Sequence, residues 1–346
     1  MKALIVESPG KLAVKELPIP KPGLCQALVK MKSCGVCGTD MKIIHGELKN
    51  FNIYPAILGH EGFGEVVQVG PGCTSLHRGD RVVLPYIEGK CGEYSGGFGA
   101  FAQYALVGDA EGYRLHGQGT PGFSLSAFGQ TALRPTDIIG DVEGAMLITF
   151  REVLSAMGRF GCEANKSVAV FGMGPVGLCF VRYAKLLGLS PVIAIANSDE
   201  KAQYALAMGA DFALNNKTKN VALELRAVCP NGVDFVIDAA GQQEIIAQAM
   251  GLIADHGKVC VYGVPASNEM RLDWSAAPYN WTLDFLQWPV KRDEAAVHNQ
   301  VMAWIALGAL TPGDFISDVI PFESVLDAFK IMEERRPDRK KIIVRF

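Results

Sequence analysis

The chain has 346 residues, 49% hydrophobic and 20% charged, with a formal net charge of −3. That is enough apolar material for two domain cores and excludes a disordered chain. The charge balance, with no basic run, argues against nucleic acid as a partner, and the longest apolar runs fall well short of the ~20 residues that cross a bilayer, so no membrane partner is expected.

Residues 1–6 show no charged n-region followed by a long apolar stretch, so no signal peptide is expected. Nine cysteines, odd in number and irregular in spacing, fit a reduced cytoplasm better than a disulfide framework. Residues 4–7, 12–16 and 27–33 are short β-rich runs separated by Pro/Gly turns, and 62–69, 81–84 and 100–107 continue the pattern. Many short strands of this kind suggest a barrel-like β unit. Gly, Pro, Ser and Thr dominate 117–129, and residues 108–140 read as an irregular surface segment.

From about residue 144 the rhythm changes. A helical pattern over 144–159 leads into alternating strands (167–171, 191–196, 234–239, 258–263) and helices (176–187, 201–208, 244–253), the sequence form of a doubly wound parallel sheet. One more strand is expected near 283–290, then helices over 295–308 and 324–335 and a strand over 341–346 that returns to the β-rich unit. Trp274, Trp281 and Trp288 recur every seven residues, but Pro278 and Pro289 argue against one continuous helix.

Gly172-Met173-Gly174-Pro175-Val176-Gly177 follows the strand 168–171 and opens a helix. That context makes a G-x-G-x-x-G run a dinucleotide cradle. Gly172 permits the tight turn, Gly174 lets backbone approach a pyrophosphate, and Gly177 allows close helix–strand packing. Gly263, closing a later strand, is placed in the same cofactor-binding set with Pro175 and Val176. The acid that would hold an adenosine ribose is expected about 20 residues on. The second strand instead ends in Asn197-Ser198, with Asp199 read as a helix N-cap and Lys201 close behind. An uncharged tip with Asn197, Ser198 and Lys201 favours NADP(H) over NAD(H).

Cys37 stands in Cys34-Gly35-Val36-Cys37-Gly38-Thr39-Asp40 and His60 in Gly59-His60-Glu61-Gly62-Phe63-Gly64. A thiol, an imidazole and carboxylates can hold a borderline-soft divalent metal with one position open. Here the chain resembles the zinc-dependent medium-chain alcohol and polyol dehydrogenases. Gly59-His60-Glu61, Gly64, Gly70 and Cys73 match their zinc signature throughout, and Gly79-Asp80-Arg81-Val82 follows as in that family.

The resemblance implies a GroES-like β-barrel catalytic domain (1–143 with 290–346) joined to a Rossmann domain (144–289), and a homodimer or homotetramer. It implies Cys37, His60 and Glu61 as zinc ligands, Glu61 exchangeable, with Asp40 orienting His60 and Thr39 relaying the alcohol proton. It implies hydride transfer between the nicotinamide and a secondary alcohol or ketone, polyol- or sugar-like if the similarity to the polyol branch holds.

Two departures stand out. The lobe that carries clustered cysteines in most relatives has only Cys91 here, so no structural zinc is expected. Counted back from Gly172, the family's further position beside the zinc (Cys, Glu or Gln) falls on Ile148, which cannot ligate. Glu152, one helical turn on, is the candidate to replace it as zinc ligand, substrate contact or base, with Arg151 and Arg159 around it read as surface charge. The alternatives are a zinc-free quinone- or enoyl-reductase relative, opposed by Cys37, His60 and Glu61 together, and a non-catalytic binding protein, favoured only by Ile148.

Overall fold

The computed structural model describes all residues except 49–50, 52, 88, 118–131, 135–136, 266, 268, 289 and 335. Of the segment 108–140, residues 118–131 and 135–136 therefore lie outside the described residues, and Ala110–Leu115 is a helix with Tyr113 buried rather than irregular surface chain. By its internal contacts the chain divides into two units, Met1–Arg151 with Lys291–Arg336 and Lys341–Phe346, and Glu152–Val290 with Pro337–Lys340.

In the first unit the short β-branched runs form two sheets. β1 (Lys2–Ser8) and β2 (Lys11–Glu16) make an antiparallel hairpin that extends through β4 (Ala56–Ile57) to β8 (Tyr94–Gly96) and β7 (Lys90–Cys91). The other sheet centres on β3 (Gln26–Val36), which pairs antiparallel with β5 (Glu61–Val69), β9 (Tyr104–Gly108) and β17 (Lys341–Arg345). β6 (Arg81–Val83) and β16 (Ile316–Pro321) flank it. Apolar residues from both sheets, among them Leu4, Val29, Val66 and Ile342, merge with Phe101 in one buried cluster. Of the strand expected over 100–107, only the part from Tyr104 forms; Phe101 and Ala102 are buried without it.

Asp109, just past β9, is the polar knot of this unit. Its buried carboxylate accepts from the backbone N–H groups of Thr74, Ser75 and Gly112 at 2.7, 2.7 and 2.9 Å and from the Ser75 hydroxyl at 2.8 Å. Burial alone would raise its pKa, but these donors hold it below the usual carboxylate value. Asp109→Asn should therefore cost on the order of 3 kcal/mol at neutral pH, because it strands buried donors. A depressed folded-state pKa means the stabilisation is present above the ordinary carboxylate range and lost as pH falls through the native value. Urea unfolding of both proteins at pH 7 and in acid should show the gap narrowing in acid. A gap that does not change with pH would mean that the carboxylate charge is not the source.

The second unit carries six parallel strands in the order β12-β11-β10-β13-β14-β15. These are β10 (Val168–Phe171), β11 (Val192–Ala196), β12 (Phe212–Asn215), β13 (Val233–Asp238), β14 (Ile253–Val261) and β15 (Trp281–Phe285). Every adjacent pair is parallel. The strand order reverses between β10 and β13, and such switch points are where doubly wound sheets open a crevice for ligands. β15 is the edge strand. Trp274, Phe285 and Trp288 on and around it are more than half exposed, and none of the three tryptophans lies in a helix.

The helices carry three corrections. The expected helix over 295–308 is two, Lys291–Ala296 and His298–Ala306. The N-cap of Asp199–Ala207 is Ser198, whose hydroxyl accepts from Lys201 N, so Asp199 is the first helical residue rather than the cap. Arg151, expected on the surface, is fully buried, with Nε donating to the carbonyl of Glu294 at 3.1 Å. No described helix is long and apolar enough to cross a membrane.

Candidate metal and cofactor sites

Strand register brings the metal-type residues together. β3 pairs with β5 so that Gly35 faces Glu61 and Cys34 faces Gly62. Cys37 lies just beyond the end of β3 and His60 just before β5, so both emerge at the same end of the sheet. A Cβ at Gly35 would stand 2.1 Å from Glu61 Oε2, so only glycine leaves room for that carboxylate.

Cys37 is also the N-cap of α1 (Gly38–His45). The ligand atoms of Cys37, His60 and Glu61 all lie within 4.8 Å of one another, the only such group of three among the described residues, and Glu152 is not in it. The donor types, sulfur, nitrogen and oxygen, suit zinc. Among the described residues of the region expected to lack a structural zinc, Cys91 is buried and its thiol faces the Pro18 carbonyl at 3.3 Å.

Asp40 supports this group in two directions. Oδ2 accepts from the Cys37 backbone N–H at 3.0 Å, which fixes the turn into α1. Oδ1 lies 3.3 Å from His60 Nδ1, poorly aligned for a hydrogen bond although both atoms are buried. Burial would lower the imidazole pKa, but Asp40 and Cys37 outweigh it and hold His60 well above its ordinary value. Phe98 packs on the ring at 5.3 Å. The Cys37 thiol points to the Thr39 hydroxyl at 3.8 Å.

Two residues here escape a sequence reading. Lys341 Nζ donates to both oxygens of Glu61, at 2.7 and 2.6 Å, with both side chains only 3% exposed. Thr149, the neighbour of the buried Ile148, donates its hydroxyl to Glu61 Oε1 at 3.3 Å. Lys341 opens its strand directly after Arg339 and Lys340, so nothing local marks it as buried, and a buried lysine needs an anionic partner. Glu152 sits half-buried on the helix Met146–Phe160, with the Ser155 hydroxyl on its carbonyl.

In the second unit the glycine turn has the geometry that a phosphate cradle needs. Gly172 has φ 92°, and a Cβ there would meet that of Ala240 at 2.8 Å. A Cβ at Gly177 would lie 1.7 Å from the Gly172 carbonyl oxygen, whereas one at Gly174 would meet nothing. Space kept open beside a helix N-terminus is what a bound pyrophosphate requires. Across the switch point, Asp238 accepts from Ala240 and Gly241 N–H groups at 2.8 and 2.9 Å, and Gly263 packs so tightly on Gly241 that a Cβ would come within 2.1 Å of its nitrogen. Pro175 and Val176 open the helix Pro175–Leu186. Asn197 at the tip of β11 is exposed.

Residues 22–116 match the alcohol dehydrogenase GroES-like domain and residues 175–280 the zinc-binding dehydrogenase domain. An alcohol dehydrogenase of Geobacillus stearothermophilus is 31% identical over 77% of this chain and 78% of its own. Two solved structures superpose over the whole of this chain and 99% of theirs. RspB of Escherichia coli CFT073, in complex with NADH, has TM-score 0.81 and 24% identity. A zinc-binding dehydrogenase of Sinorhizobium meliloti 1021 bound to NADP has TM-score 0.78 and 26% identity. The chain belongs to the zinc-type alcohol dehydrogenases of the medium-chain dehydrogenase family.

Proposed function

We propose that this protein is a zinc-dependent, NADP(H)-preferring dehydrogenase that interconverts a secondary alcohol, of polyol or sugar type, and its ketone. The observation that carries the reading is the convergence of Cys37, His60 and Glu61 at one end of the β3–β5 pair. Those three residues would hold zinc, which when bound supplies Lewis acidity toward the substrate oxygen. Asp40, 3.3 Å from His60 Nδ1, would orient the ring so that its other nitrogen is offered to the metal. Thr39 accepts the alcohol proton and passes it outward. The glycine turn orients the nicotinamide dinucleotide for hydride transfer at the cofactor's own carbon.

Preference for NADP(H) is supported by the absence of an acid at the tip of β11 and by Lys201 nearby. NADH and NADP both occur among the similar structures, so the preference rests on these residues. Glu152 supports the polar substrate class as a half-buried carboxylate on the helix that also carries Thr149. The open edge of β15 with its exposed aromatics supports pairing of two copies along that strand.

Metal analysis of the purified protein should find about one zinc per chain, the occupancy of a single catalytic site. A chelator should abolish alcohol oxidation, and zinc should restore it. Full oxidation of secondary alcohols after zinc is removed would overturn the reading.

A further inference from the structure

Cations from three separate stretches of chain come together beside the helix that follows β11. Lys201 lies in the first turn of Asp199–Ala207. Lys217 follows β12, whose Asn215 pairs in register with Ala196 at the end of β11. The third stretch is Pro337–Lys340, which packs with the dinucleotide-binding unit although the chain before and after it belongs to the other.

Lys340 Nζ sits 5.1 Å from the centre of the Tyr204 ring. Lys201 and Tyr204 are i and i+3 on one helix and so share a face. That cation–π contact therefore lays the segment along the face that carries Lys201. The Lys201 ammonium is disfavoured first by its burial and then by the positive charges of Arg339 and Lys217, which places Arg339 within electrostatic reach of it. Asp199 and Glu200 share the first turn of the helix with Lys201, and the Asp199 carboxylate accepts from the Asn215 amide at 2.9 Å. Cations gathered beside a tied acid form a region of positive potential that favours a multiply charged anion.

We propose that Arg339 and Lys340 join Lys201 and Lys217 as the clamp on the cofactor's 2′-phosphate, so that specificity for the phosphorylated dinucleotide is set largely from the segment 337–340. The proposal rests on the reading of NADP(H) as preferred cofactor. It extends that reading to a segment remote in sequence from the glycine turn and from the β11 tip. Arg339 supplies a planar fork that matches phosphate oxygens, and Lys340, its stem fixed on Tyr204, supplies a point charge.

The test is a fluorescence titration of NADPH and of NADH into the unmodified protein and into Arg339→Gln, Lys340→Gln and the double variant, with Arg339→Lys as the charge-retaining control. The double variant should bind NADPH roughly 10–100-fold more weakly while NADH affinity stays within about twofold, and Arg339→Lys should recover part of the loss. Retained NADH binding shows that each variant is folded. If the unmodified protein prefers NADH, the cofactor reading falls and the clamp with it. If it prefers NADPH and the variants keep the same NADPH-to-NADH ratio, only the clamp is overturned.

Discussion

Lys341→Met should destabilise the metal-free protein by about 3–5 kcal/mol, the usual cost of stripping one partner from a buried ion pair. The pair is well formed: both Glu61 oxygens are held by one ammonium within 2.7 Å, and neither side chain sees solvent appreciably. Among the described residues, the carboxylate without Lys341 keeps only the Thr149 hydroxyl at 3.3 Å, which cannot replace a charge. A divalent cation at the Cys37–His60–Glu61 group would restore the missing positive charge. Zinc should therefore raise the unfolding temperature of the variant more than that of the unmodified protein. Calorimetric scans of both proteins, apo and zinc-loaded, measure this directly. Glu61→Gln with Lys341→Met should recover most of the stability, since it removes the stranded charge as well as its partner. Equal stability of apo Lys341→Met and the apo parent would show that Glu61 does not depend on this lysine.

The second large effect is expected at Gly174. A Cβ there meets no protein atom within 4 Å, and the backbone at φ −84° and ψ −174° suits any residue. Gly174→Val should therefore leave the melting temperature almost unchanged. It should weaken dinucleotide binding about 10–100-fold, the equivalent of one charged hydrogen bond to the pyrophosphate. Gly177→Ala is the contrasting case. Its Cβ would lie 1.7 Å from the Gly172 carbonyl oxygen, so it should lose stability along with binding. Titration of NADPH by fluorescence alongside thermal melts separates the two. Unimpaired binding by Gly174→Val would move the pyrophosphate away from this turn.

Local pattern made much of this molecule legible. The glycine turn after Val168–Phe171 and the alternation that follows are short-range signals, and the sheet order built from them places that turn at the strand reversal. Cys37 and His60 were readable because each adjoins a strand end, and antiparallel pairing of β3 with β5 brings those ends together. Tertiary context decided the rest. Arg151 looks like surface charge on an amphipathic helix, but the buried backbone of Glu294, 143 residues away in sequence, takes its Nε–H. The N-cap before Lys201 could be Ser198 or Asp199 on composition alone, and only the hydroxyl geometry decides for Ser198. Lys341 reads as part of a strand, and no local rule pairs it with Glu61.

That pairing has a consequence for how the protein is made. Glu61 and Lys341 are 280 residues apart, and β17, which carries Lys341, also pairs with β3. At synthesis rates of about 5–20 residues per second, Glu61 leaves the ribosome roughly 15–60 s before its counter-charge exists. During that interval β3 lacks one of its neighbours, and the residues that would bind the metal stand in an unfinished sheet. The parallel sheet itself, whose β10–β15 are contiguous in the chain, has no such wait. Newly made chains should therefore complete the sheet that brings Cys37, His60 and Glu61 together only after release.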